Sequence, residues 1–173
     1  MRIVTHRLSG RHRSVADRVR QVADEAGRLA SRHARSGLGN VELAVTTGRG
    51  IPDLVSTAHE RIFNFSDWDA WDVPGVAGVT TIRRGGSLVI VNAEANRGSL
   101  AEADMTVIHE LVHACQLTRT GAWELAARRH AHQYGIEFMT DREVRTAETQ
   151  FVREEREAEK AERLASQLAR AVA

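Results

Sequence analysis

The stretch "MTVIHELVHACQ", residues 105 to 116, sets two histidines and a glutamate inside an almost unbroken apolar run. On a helix, His109 and His113 stand one turn apart on the same face, close enough to grip one metal ion. Glu110 lies beside that face and reaches a water held by such an ion. The pattern thus supplies two imidazole ligands and a general base from five residues. Val107, Ile108, Leu111, Val112, Ala114 and Cys115 leave little solvent face on the segment. Buried without partners, the three polar groups would each cost several kcal/mol, a penalty that a cation bound among them removes. The bland alternative is a core helix whose histidines bond to backbone carbonyls.

The segment resembles the active-site helix of the zincin metallopeptidases, and "HELVHACQ" carries the resemblance. It implies Zn²⁺ held by His109 and His113, with Glu110 activating the attacking water. It also implies that the strand before the helix, "SLVIVNAEAN", is a sheet edge that holds a peptide by β-addition. A catalytic zinc takes three protein ligands. The metzincin continuation HExxHxxGxxH is absent, because Gln116 and Arg119 stand where the glycine and third histidine belong.

In the gluzincin branch the third ligand is a glutamate on a later helix, often within Glu-x-x-Ala-Asp. "VREEREAEKAERLA" resembles that element. The resemblance makes Glu155 the third ligand and has Glu159, in place of Asp, support a ligand histidine. Periodicity favours a neighbour. Val144, Ala147, Phe151, Ala158, Ala161, Ala165, Leu168 and Val172 form an apolar stripe whose missing member is Glu154. Glu157, Glu124, His130 and His132 are further candidates. "RRHAHQYG" is the serious rival, since another zincin branch completes its site with a histidine beyond the motif. If the metal is held without them, His130, His132 and Tyr134 are candidate donors to an oxyanion.

The elements that must position these residues follow from periodicity and turn signals. Val15, Val19, Val22, Ala26, Leu29 and Ala30 predict an amphipathic helix over 13–36, stopped at Gly37 and Gly39. "VELAVTT" alternates as a strand, and Pro52 opens a helix over 52–64. "NFSDWDAWDVPGVAG" is loop-like, with Trp68 and Trp71 as anchors to the body. "GVTTI" and "SLVIVNA" flank "RRGG" as a β-hairpin. Asp104 caps a helix over 105–117, a further helix covers 122–134, and a long one runs over 141–171. Cys115 is core packing. Together these predict an α+β fold over residues 1–173 as a single zincin-like domain. Its small, mostly antiparallel sheet carries a β-hairpin edge and is backed by helices.

With 42% hydrophobic and 27% charged residues, the composition is that of a soluble globular protein. No run approaches the roughly 18 apolar residues of a membrane helix. The opening residues "MRIVTHRLSGRHRS" lack a signal-like apolar core, and a lone cysteine fits a reducing compartment, so the expected location is cytoplasmic. Residues 1–40 hold nine arginines against three acids. That excess raises a nucleic-acid footprint on the first helix, although no aromatic residues interleave with it for base stacking.

The function expected is zinc-dependent hydrolysis of peptide bonds in a peptide or protein substrate. With neither a propeptide nor a secretion signal evident, a narrow substrate range is expected. The alternative is a non-catalytic zincin-like module. Its basic N-terminal helix or charged C-terminal helix would dock nucleic acid or a protein.

Overall fold

The computed structural model describes residues 1–65 and 75–171. The loop anchors Trp68 and Trp71, and Val172 of the apolar stripe, lie outside the described residues. Four strands form one sheet in the order β1-β2-β4-β3: β1 (Arg2–Thr5), β2 (Val41–Thr46), β3 (Gly78–Arg83) and β4 (Gly86–Asn92). The helices are α1 (Arg13–Ala34), α2 (Ile51–Phe63), α3 (Leu100–Gln116), α4 (Ala122–Gln133), α5 (Asp141–Ala161) and α6 (Ala165–Ala171). The fold is α+β, as expected.

The sheet is mixed rather than mostly antiparallel. β2 pairs in parallel with both β1 and β4, and only the β3–β4 hairpin is antiparallel. The physical reason is coverage of both faces. Leu43, Val45, Val89 and Val91 point into the core built with α1 and α3. Ala44, Leu88 and Ile90 point the other way, onto Ile51 and Val55 of α2. A strand buried on both sides reads as a continuous apolar run, which is how "LVIV" reads in β4. β1 escapes sequence reading because it is four residues long and only half-buried at its centre.

β4 is therefore an interior strand, and the expectation that it forms a peptide-holding edge is overturned. That edge belongs to β3, which pairs only with β4 among the described residues.

α1 buries the predicted face and ends one turn before the glycines. Its left-handed terminal residue is Arg35, with φ of 52°. The motif helix α3 begins at Leu100, five residues before the expected start. Ser99 caps it by accepting a hydrogen bond from the Glu102 amide at 3.3 Å. Asp104 is thus no cap. It lies inside the helix at 2% exposure, where Arg18 of α1 donates two hydrogen bonds to its carboxylate, at 2.8 and 2.6 Å. A carboxylate so buried is tolerated because the fork-shaped guanidinium satisfies both oxygens. The pair also ties α1 to the helix that carries the histidines.

The long C-terminal helix is present, with one tightened stretch inside it. A tight three-residue turn, Glu162–Leu164, separates α5 from α6. Ala147, Ala158, Ala161, Ala165 and Leu168 are buried as the stripe predicts, whereas Phe151 is 43% exposed. Cys115 is buried in the main core, as expected.

Candidate metal centre

α3 carries His109, Glu110 and His113, and α5 packs beside it and delivers Glu155. The His109 and His113 Nε2 atoms are 3.1 Å apart. Glu155 Oε1 stands 3.1 Å from the His113 Nε2, and its Oε2 stands 3.7 Å from the His109 Nε2. Donor atoms of a tetrahedral zinc, each about 2.0–2.1 Å from the ion, are separated by about 3.3 Å. The three side chains fit one such ion with little movement, and their ligand atoms all lie within 4.8 Å of one another.

The outer partners fix which ring nitrogens face each other. His109 Nδ1–H donates to Glu162 Oε1 at 2.9 Å. His113 Nδ1–H donates to Gln116 Oε1 at 2.7 Å. The Gln116 amide is oriented in turn, because its Nε2 donates to the Glu154 carbonyl and to Glu157 Oε2, both at 2.9 Å. With each Nδ1 carrying the proton, both Nε2 lone pairs are left for a shared cation.

The electrostatics agree. Burial pulls the His109 imidazole down. The hydrogen bond to Glu155, the charge of Glu110 and the hydrogen bond to Glu162 outweigh it and raise its pKa to about 9. His113 is raised as well: burial opposes the shift, and Glu155 and Glu110 more than compensate. The hydrogen bonds from both histidines hold Glu155 well below the usual carboxylate range. Positive charge between these three groups is strongly favoured, whether it arrives as a proton or as a metal ion.

Glu110 is 6% exposed, and burial raises its pKa above the ordinary carboxylate value. Thr80 of β3 donates to its Oε2 at 2.8 Å and is also 2.9 Å from its backbone carbonyl. Gly78 makes room for it, since a Cβ there would come within 2.7 Å of Glu110 Cγ and 2.8 Å of its Oε1. The strand around Gly78 is held from below by two asparagines. Asn96 donates to the Ala77 carbonyl at 2.8 Å and accepts from Thr106 of α3 at 2.9 Å. Asn92 donates to the Val76 carbonyl at 2.8 Å.

The cluster lies in a cavity of about 740 Å³, whose walls include β3, Met105, His130 and Phe151. Among the third-ligand candidates, Glu155 alone joins the histidines among the described residues. Glu154 lines the same cavity but accepts a hydrogen bond from Gln150, so the gap in the apolar stripe falls where α5 crosses the cavity. Glu157 is paired with Arg119 at 2.7 Å. Glu124 is exposed. His132 accepts from the Met139 amide at 3.2 Å.

Glu159, expected to support a ligand histidine, is exposed, and Glu162 takes that place. Glu162 follows Glu155 by seven residues, two turns along the same face, and the tight turn after Ala161 presents it to His109. Glu162, Gln116, Thr80 and Gly78 were not singled out from sequence for these roles. Only the spacing of Glu155 and Glu162 offered a signal for any of them.

His130 lines the cavity beside a second buried group. His59 of α2 bonds to Tyr134 Oη at 2.6 Å and to Thr81 Oγ1 at 2.7 Å, with its ring 4.4 Å from that of His130. Tyr134, an oxyanion-donor candidate from sequence, is thus engaged with His59. Burial, with His130 nearby, drives the His59 pKa down to about 3. Burial and the neighbouring Arg129 lower His130 to about 4. Both histidines are neutral near pH 7.

Because their folded pKa lies below the unfolded value of about 6.5, the unfolded chain binds more protons than the native one between about pH 6.5 and 4. Stability is present above that window and falls as the pH drops through it. For His59 the loss between pH 7 and pH 5 is about 2 kcal/mol. Urea unfolding at the two pH values checks this: His59→Gln should be less pH-dependent than the parent by about that amount. Equal pH dependence in the two proteins would contradict it.

No family model, curated protein or solved structure matches this chain. No helix among the described residues is long and apolar enough to cross a membrane.

Proposed function

We propose that the chain is a zinc metallopeptidase of gluzincin-like type, in which His109, His113 and Glu155 hold the ion and Glu110 is the general base. The observation that carries this reading is the convergence of those three ligand atoms beside a buried carboxylate, inside one cavity. Zinc bound there supplies a Lewis acid and brings the pKa of a water it holds toward about 7.

The chain's own residues do the rest. Glu110, with its proton affinity raised by burial, accepts the proton of the attacking water and passes it to the leaving amine. Thr80 and Gly78 hold its carboxylate in position. Glu162 and Gln116 keep both histidines in the ligating tautomer. The edge of β3, which no other strand among the described residues pairs with, borders the cavity, so an extended peptide pairs there rather than on β4. Neutral His130 offers a ring N–H from the cavity wall to developing oxyanion charge. The buried thiol of Cys115 is compatible with a cytoplasmic location, which we propose with the rest.

The test is cleavage of an unbiased peptide library by zinc-loaded protein, with products identified by mass spectrometry. Cleavage that stops on chelation and returns with added zinc supports the reading. A fully zinc-loaded protein that cleaves no member overturns it.

A further inference from the structure

α5 separates its charges across its axis. Its acids Glu143, Glu154, Glu155 and Glu157 make contacts to Arg128, Gln150, the histidines and Arg119. Its cations stand elsewhere. At about 100° per residue, Arg142, Arg145, Arg153, Arg156 and Lys160 fall within an arc of about 80°. That arc lies opposite the buried Ala147 and Ala158. All five are exposed. Among the described residues, none of them lies in an ion pair, and their side chains make no hydrogen bond to an acid. The exposed acids of α5, Asp141, Glu148 and Glu159, flank the arc on one side.

The sequence drew attention to the basic N-terminal helix instead. There three of the five arginines of α1 already lie in ion pairs, Arg18 with Asp104, Arg20 with Asp17 and Arg28 with Glu25. A row of exposed cations outside any ion pair, among the described residues, is the feature of α5.

We propose that the outer face of α5 binds the phosphate backbone of double-stranded nucleic acid. From Arg142 to Lys160 the stripe runs about 27 Å at 1.5 Å per residue. Over that length a duplex presents one negative charge per ~1.7 Å of axis, enough to engage every cation. Arg142, Arg145 and Arg153, with Thr146, Thr149 and Gln150, line a shallow depression of about 370 Å³ that admits a phosphate group. Single strands are disfavoured, because the stripe has no aromatic platform: Phe151 lies on the opposite side of the helix, over the cavity. The contact is to backbone and carries no sequence preference. It is independent of the hydrolytic reading, since the stripe faces away from the cavity that holds Glu155.

Fluorescence anisotropy of the full chain with a labelled duplex of about 20 base pairs tests this, as a function of salt. Five phosphate contacts give a slope of log K against log[salt] of about −4.5, or about a 500-fold loss of affinity between about 50 and 200 mM. The triple variant R142Q/R145Q/R153Q should reduce the slope to about −2, and R145Q alone should remove about 0.9 from it. R20Q/R28Q should leave it unchanged. Circular dichroism establishes that each variant is folded, and the single surface substitution serves if the triple variant is not. Any of three results would overturn the proposal. One is a parent slope shallower than about −2. The second is loss of binding in R20Q/R28Q in place of R145Q. The third is stripe-dependent binding to phosphatidylserine vesicles with none to the duplex.

Discussion

Glu110→Gln should lower peptide hydrolysis by about 10²–10⁴-fold while zinc content stays at the parent level. The substitution keeps the shape of the side chain and an oxygen for the Thr80 hydroxyl, so the packing against Gly78 survives. What it removes is the carboxylate proposed to take the proton beside the proposed ligands. It also relieves the cost of a carboxylate buried at 6% exposure, so the melting temperature should hold or rise. Steady-state kinetics and elemental analysis on the same preparation read both halves. Loss of turnover together with loss of zinc would make Glu110 a part of the metal site rather than the base. Retention of every function would favour the non-catalytic binding module.

The second large effect concerns Glu155. Glu155→Ala should weaken zinc binding by well over the 10–100-fold that loss of an outer partner costs, because it removes a ligand atom. Glu162→Gln should fall within that 10–100-fold range, since the His109 ring loses its carboxylate acceptor but keeps Nε2 on the ion. Glu154→Ala and Glu159→Ala should leave the affinity close to that of the parent, the former being bonded to Gln150 and the latter exposed. Competition titration against a chromophoric chelator orders the four variants. An affinity lost in Glu154→Ala and kept in Glu155→Ala would relocate the third ligand.

That ordering shows what was legible in the chain and what was not. The two histidines and Glu110 could be read because five residues of one helix carry them, and helical spacing places them without tertiary information. Glu155 required an alignment to a family element, and periodicity alone pointed to Glu154. At that turn α5 borders the cavity, so the residue in the apolar register lines it and is free to be polar. Glu162 could not be placed, because the tight turn after Ala161 contains neither glycine nor proline to mark it. The helix expected over 141–171 is present, interrupted only by the three tightened residues Glu162–Leu164.

The parallel pairings of the sheet escape sequence for a related reason. Alternation in "VELAVTT" suggests one wet face, yet β2 is buried on both sides once α2 covers the second. The parallel partner β1 lies about forty residues from β2 and is too short to carry a pattern. Asp104 misled in the opposite sense. A carboxylate before an apolar run reads as a cap, whereas its partner Arg18 is 86 residues away and invisible to local reasoning. Ser99, with Glu102 three residues on, was the true start signal.

On the proposed function, the polar trio of α3 is buried together with Glu155 because a metal ion belongs among them. Elemental mass spectrometry of the purified, untagged protein, alongside His109→Ala, tests it most directly. About one zinc per chain in the parent, lost in the variant, is the result expected for a site with three protein ligands. No zinc in either protein, even after incubation with excess metal, would contradict it and leave the trio as a hydrogen-bonded core.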